Sequence, residues 1–313
     1  MTTTNPTITE QDNKYNSDQL HRYLFDNKHA RGELVQLSDS YQSILTNHHY
    51  PDGVKHLLGE LLVATSLLTA TLKIAGEISV QLQGDGPVAY MAVNSAIHTD
   101  TEDASNNKQE MRGIAKLGTE IRSNSEITGL HNLIGKGNMI ITIRPTDGEA
   151  YQGVVALEED SLAKCLSHYF DVSEQIPTHI SLFVNNNYTL AAGCLVQLLP
   201  DGDDKDQQLA DFEHLSQLTN TIKAEEIFTL SANELLYRLY HQENVQLYPA
   251  QTISFKCGCS EEKCLNAIAQ IEVDEIKAIL AEQGKISMTC EYCQTTYAFD
   301  ETNLAGLLAD KKH

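Results

Sequence analysis

The sequence predicts an α+β protein in three parts: an N-terminal mixed sheet-and-helix domain over 18–200, a helical linker over 201–254, and a small C-terminal four-cysteine zinc module over 255–313. Three observations predict this. Short apolar stretches alternate with period two and pair across turns, mixed with a few helices, without the strict strand–helix alternation of a parallel fold. The run Pro200-Asp-Gly-Asp-Asp-Lys-Asp206 is a charged break. Near the end, Cys257, Cys259, Cys290 and Cys293 form Cys-x-Cys, thirty intervening residues, Cys-x-x-Cys.

Residues 1–17 are polar and lack periodicity, which predicts a disordered tail. Strands are expected over 19–25 and 30–37, then a short helix over 39–47. Asp52-Gly53 opens a longer helix in which Val54, Leu57, Leu58, Leu61, Leu62, Leu68 and Leu72 recur at helical spacing. It is apolar on most sides, so it belongs inside the core, and Gly76 is expected to end it. Glu77-Ile-Ser-Val-Gln-Leu-Gln83 alternates as a strand up to the turn Gly84-Asp-Gly-Pro87, and 88–93 returns antiparallel. The polar stretch 95–110 reads as a loop. Strands over 139–143 and 151–157, a helix over 161–170 capped by Asp160, and strands over 180–184 and 190–199 complete the domain.

Beyond the charged break, Leu209, Phe212, Leu215 and Leu218 fall on one helix face. A second helix opens with the capping box Ser231-Ala-Asn-Glu234 and carries Leu235, Leu236, Leu239 and Tyr240. Both are near the length at which an isolated helix is marginal, so they need a partner surface. In the module, Ser260 is placed to cap a helix with Glu261 and Glu262 in its first turn, where the dipole favours acids. A helix over 274–283 should stop at Gly284, and 286–290 and 296–299 flank the Cys-x-x-Cys turn.

The formal charge is −21, spread along the chain, and no segment is basic. A lysine or arginine platform for phosphate is therefore missing, which argues against nucleic acid. The start has neither a basic nor an apolar signal region, and 57–74 is too polar to span a membrane. Five of the seven cysteines lie in the last 57 residues. Without a secretory signal such a cluster points to metal or redox chemistry in the cytoplasm.

Two close cysteine pairs separated by a short helical stretch can wrap four thiolates around one tetrahedral Zn²⁺. A module this small buries little apolar surface, so structural zinc, worth roughly 10–16 kcal/mol near neutral pH, would supply most of its stability. One reading is a constitutive zinc-ribbon adaptor. The acidic surroundings and the single residue between Cys257 and Cys259 favour another. Thiolates are the reactive form, and an oxidant can convert one to a sulfenic acid that its neighbour displaces as a disulfide. The pairs expected are Cys257–Cys259 and Cys290–Cys293, and sulfurs so joined are poor zinc ligands. A thioredoxin-like oxidoreductase is a third reading, but Cys290-Glu-Tyr-Cys293 lacks a βαβ context and leaves the other pair unexplained. Cys165, Cys194 and Cys264 read as packing thiols or core positions. The glycines over 129–137 resemble a phosphate loop only faintly, with the wrong spacing. His48-His49 has no metal-binding partner in sight.

The chain resembles the redox-regulated 33 kDa heat-shock chaperones of bacteria from about Gln19 onward. The resemblance rests on the four cysteines together with Gln81-Leu-Gln-Gly-Asp-Gly-Pro87, Arg112-Gly113, Gly135-Lys-Gly137 and Tyr151-Gln-Gly-Val-Val155. It extends to Ser173-Glu-Gln-Ile-Pro-Thr178, Tyr237-Arg-Leu-Tyr-His241 and Phe255-Lys-Cys-Gly-Cys259. It implies an ATP-independent holdase and not an enzyme. The reduced form, with one Zn²⁺ per chain on Cys257, Cys259, Cys290 and Cys293, would be inactive. Oxidation would form two disulfides and expel zinc, the linker would melt, and the oxidised protein, usually a homodimer, would bind unfolding clients. The tail and the 100–109 stretch are longer than that pattern expects, and Cys194 stands where an aliphatic residue is expected.

Overall fold

The computed structural model describes residues 18–26, 28–72, 76–98, 108–118, 126–199 and 204–310. The expected tail and most of the charged break lie outside them. The chain divides into two compact units, Met1–Phe255 and Lys256–His313.

The first unit is built on one long sheet. Its elements begin with β1 (Gln19–Phe25), β2 (Ala30–Leu37), α1 (Asp39–Thr46) and α2 (Asp52–Thr71), followed by β3 (Gly76–Gly84), β4 (Val88–His98) and β5 (Lys108–Leu117). Next come α3 (Leu130–Ile134), β6 (Gly137–Pro145), β7 (Tyr151–Ala156) and α4 (Leu162–Tyr169), with a π-helical turn over Phe170–Glu174, then β8 (Thr178–Val184) and β9 (Ala191–Leu198). The unit closes with α5 (Lys205–Thr219), α6 (Ala224–Thr229), α7 (Ala232–Tyr240), β10 (Val245–Leu247) and β11 (Gln251–Phe255). The strands run in the order β7-β6-β3-β4-β5-β11-β1-β2-β9-β8. Neighbours are antiparallel except β11 beside β5, and β10 pairs with the far end of β1.

Helix α2 is the core. Fifteen of its twenty residues are buried, as its all-round apolar sequence requires. Strand β2 divides by parity, because successive side chains point to opposite faces. Val35 and Leu37 join the cluster around α2, while Ala30 and Leu34 join a second cluster beneath α5–α7. Strand β9 behaves alike, with Leu195 on the first side and Cys194 on the second. Both strands are covered on both faces; β9 accordingly reads as a nearly continuous apolar run, while the polar side chains of β2 find partners, Glu33 with Arg22, Arg31 with Gln197 and Gln36 with the end of α6.

Several expectations need correction. Helix α2 ends at Thr71, with Leu72 already extended, and Arg22 Nη2 donates to the Ala70 carbonyl at 2.7 Å. Gly76 instead opens β3, where a Cβ would meet the Arg144 carbonyl of β6 at 2.4 Å. The stretch 95–110 is not wholly loop: β4 continues to His98 and β5 starts at Lys108. Its polar residues mislead because they satisfy each other inside. Gln109 donates to Ser95 Oγ at 2.8 Å and accepts from Ser66 Oγ at 2.8 Å, and all three are buried. Ser161, not Asp160, caps α4 by accepting the Lys164 N–H, while Asp160 pairs with the Lys164 ammonium. Helix α6 and strands β10 and β11 were not foreseen.

Helices α5–α7 are docked on the sheet. Leu215, Ile227, Leu235 and Tyr240 are buried against Tyr23, Phe25, Leu34 and Val196. Gln36 Nε2 donates to the carbonyls of Ile227 and Leu230 at 2.7 and 3.1 Å, satisfying the open end of α6. The Thr219 and Tyr240 hydroxyls meet at 2.6 Å, and Lys28 bonds Asp211 at 2.8 Å. The capping box at Ser231 and Glu234 forms as expected.

Candidate metal centre

The second unit is small. It comprises α8 (Glu261–Ile268), α9 (Val273–Gln283), the hairpin of β12 (Ile286–Thr289) and β13 (Thr296–Phe299), and α10 (Glu301–Asp310). Its buried apolar core is Ile268, Ile276, Ile286, Phe299 and Leu304. Five side chains are a thin core for a domain, so the unit needs a further source of stability.

The cysteines meet beside that core. Cys257 and Cys259 lie in the segment leading to α8, which Ser260 caps through the Lys263 N–H. The Lys263 ammonium also donates to the carbonyl of Gly258, between the two thiols. Cys290 and Cys293 lie where the chain turns from β12 into β13. Backbone bonds from Cys290 to Thr295 (2.9 Å) and from Gln294 to Cys290 (2.8 Å) close that turn, and Gln294 takes the left-handed conformation at φ 57°. Gly284, at φ 74°, ends α9 as expected.

All four Sγ atoms lie within 4.8 Å of one another, and all four residues are partly buried. Cys257 and Cys290 are 3.5 Å apart, as are Cys259 and Cys293. Sulfurs bound at ~2.3 Å to one tetrahedral ion are separated by about 3.8 Å. The donor set and its spacing therefore fit a single thiolate-bound metal, and the four residues singled out from sequence are brought together.

The surroundings tune the thiols differently. Burial holds Cys257 well above the ordinary thiol range. Cys259 is also raised: the Tyr297 hydroxyl at 3.3 Å and the Cys257 thiol lower it, but burial and the thiols of Cys293 and Cys290 outweigh them. Burial also pushes Cys293 up, yet Thr295 and the neighbouring thiols prevail and bring it down to about 6. Tyr297, Thr295 and Lys263 were not anticipated; only their nearness to the cysteines in sequence could have drawn attention to them.

The other thiols lie elsewhere. Cys165 is buried on α4 with its Sγ 3.7 Å from the Glu159 carbonyl. Cys194 is buried under α5–α7, and Cys264 packs against the small core of the second unit. The faint phosphate loop is ruled out, because the Asp85 carboxylate accepts the Lys136 N–H at 2.7 Å where an anion would sit. His48 stacks on Tyr50 at 4.8 Å. Cys290 and Cys293 belong to an antiparallel hairpin, which removes the thioredoxin-like context.

Fold and site together define a class: α+β proteins in which a sheet-and-helix unit is followed along the chain by a small unit with four clustered thiols. A family model described as Hsp33 protein matches residues 18–300. The chain is 63% identical over 298 residues to the 33 kDa chaperonin of Colwellia psychrerythraea, covering 94% of this chain and 98% of that one. It is 52% identical over 293 residues to the 33 kDa chaperonin of Shewanella woodyi, covering 94% and 96%. The crystal structure of the 33 kDa chaperonin of Thermotoga maritima superposes with a TM-score of 0.75 at 22% identity, over 95% of this chain and 99% of that one, and so shares the fold. The chain belongs to the Hsp33 family of chaperones. Among the described residues no helix is long and apolar enough to cross a membrane.

Proposed function

We propose that the chain is a redox-regulated, ATP-independent holdase of the cytoplasm, and not an enzyme. The observation that carries this reading is the convergence of four thiols within 4.8 Å in a unit whose apolar core, among the described residues, has five buried side chains. Cys257, Cys259, Cys290 and Cys293 would hold one Zn²⁺ in the reduced state. Bound there, the ion supplies charge neutralisation and a structural staple.

Oxidation acts on the sulfurs themselves. A thiolate attacks a peroxide oxygen, giving a sulfenic acid and hydroxide. The neighbouring thiolate then displaces hydroxide from the sulfenic sulfur, forming a disulfide. Cys293, lowered to about 6, ionises more readily than Cys257 or Cys259, both of which are raised. Sulfurs committed to Cys257–Cys259 and Cys290–Cys293 no longer serve as ligands, so oxidation and metal loss coincide and the thin core is left alone.

The linker over 201–254 is the proposed second responder. Helices α6 and α7 have six and nine residues, below the roughly 12–15 at which isolated helices become marginal. They persist through the apolar cluster they share with β1, β2 and β9. Their loss would uncover Tyr23, Leu34 and Val196, an apolar surface for unfolding clients and for a second oxidised copy. Peroxide treatment at raised temperature should release zinc and confer protection on a denaturing client. Equal protection by the reduced zinc form would contradict the switch and favour the zinc-ribbon adaptor.

A further inference from the structure

The first unit contains a cavity of about 460 Å³ that the chaperone reading does not use. Leu68 and Leu72 at the end of α2, Ile78 of β3, Ile141 of β6 and Phe170 form its apolar wall. Volumes of this order hold small ligands in other proteins. At ~30 Å³ for each heavy atom, the space takes about fifteen of them.

One polar group on this wall is underused. Arg31 of β2 faces Gln197 across the β2–β9 ladder, and its Nε and Nη2 both donate to Gln197 Oε1, at 3.2 and 2.7 Å. That acceptor is neutral. Among the described residues no ion pair forms at Arg31. Glu33, two residues along the same strand face, is engaged by Arg22 at 3.0 Å. A guanidinium has five donors in a flat fork suited to a carboxylate, and two of them are occupied here. Glu174, the acid among the lining residues, already accepts the Tyr169 hydroxyl. The cavity thus combines one apolar wall with a guanidinium that shares the Glu33 charge with Arg22 and spends its hydrogen bonds on a neutral amide, and with an acid that already has a partner.

We propose that this cavity binds a single-chain amphiphilic carboxylate, of the size of a fatty acid with about ten to twelve carbons. Its head group takes the remaining donors of Arg31, and its tail lies along Leu68, Leu72, Ile78 and Ile141. The site is independent of the cysteines and of the redox reading.

The test uses the reduced, zinc-loaded full chain, titrated calorimetrically below the micelle concentration with dodecanoate, dodecanol and dodecyltrimethylammonium. One dodecanoate should bind per chain, about tenfold or more tighter than either other probe, the range of a charge-assisted hydrogen bond. Arg31→Gln should remove that preference. Leu72→Trp, which fills the cavity, should abolish saturable binding, with both variants keeping the wild-type far-UV spectrum. Independently of any variant, the thermal midpoint of the wild type should rise with dodecanoate and not with dodecanol. Non-saturable uptake, equal affinity for the three probes, or binding unchanged in the variants would overturn the proposal.

Discussion

The sulfur of Cys257 lies 3.5 Å from that of Cys290, although the two are 33 residues apart in sequence. This closeness joins the segment before α8 to the β12–β13 hairpin, in a unit whose apolar core is too thin to do so alone. Cys257→Ser replaces a soft ligand by a hydroxyl that does not ionise at neutral pH. Zinc content should fall from about one per chain to near zero after dialysis, and the helical signal of α8 and α9 should fall with it. A variant that retained full zinc and full helicity would exclude Cys257 as a ligand.

The four sulfurs are close enough for more than one pairing. The shortest contacts run across the two cysteine pairs, Cys257 to Cys290 and Cys259 to Cys293. The proposed disulfides run within them, because loop closure between Cys257 and Cys259 or Cys290 and Cys293 costs little entropy once the unit loosens. Peptide mapping after peroxide treatment should find Cys257–Cys259 and Cys290–Cys293. Predominant cross-pair disulfides would mean that the unit oxidises while still folded.

The linker helices should be releasable without oxidation. Leu235 is 1% exposed on α7 in the cluster over β1, β2 and β9. Leu235→Ala should weaken docking by ~2–5 kcal/mol. The reduced, zinc-loaded variant should then show protease sensitivity over 205–247 and partial client protection. A variant cleaved there but still inactive would separate linker release from client binding.

A pH dependence follows from Glu33. It is fully buried, and burial outweighs the Arg22 ion pair, raising its carboxyl from 4.5 to about 7. Its Oε2 has no hydrogen-bond partner among the described residues. Between those pH values the folded chain binds more protons than the unfolded chain. The contribution of Glu33 to stability is thus complete below about 4.5 and lost as pH rises to about 7, by roughly 3 kcal/mol. Denaturant unfolding of Glu33→Gln and wild type at pH 5 and pH 8 should show the variant gaining relative stability at the higher pH. An unchanged difference would mean that Glu33 is ionised throughout.

The four-thiol cluster was legible in the sequence because ligand chemistry is local: Cys-x-Cys and Cys-x-x-Cys each announce a pair of possible donors. Helix α2 was legible for a similar reason, since its apolar positions repeat over many turns. Strand β5 and the ends of β4 were hidden because Ser95 and Gln109 look like loop residues until Ser66 is brought beside them. Strands β10 and β11 were hidden because their pairing with β1 and β5 spans most of the unit. The contributions of Thr295 and Tyr297 depend on a hairpin register that no local pattern encodes.

In the proposed switch, oxidation of the four thiols, loss of zinc and gain of chaperone activity are one event. The direct test follows zinc release and suppression of client aggregation in the same sample during peroxide treatment at raised temperature, with a reductant-protected control. About one zinc per chain should be released in step with the rise in protection, while the control releases none and protects poorly. Protection by the reduced zinc form equal to that of the oxidised form, or zinc release without any gain in protection, would contradict it.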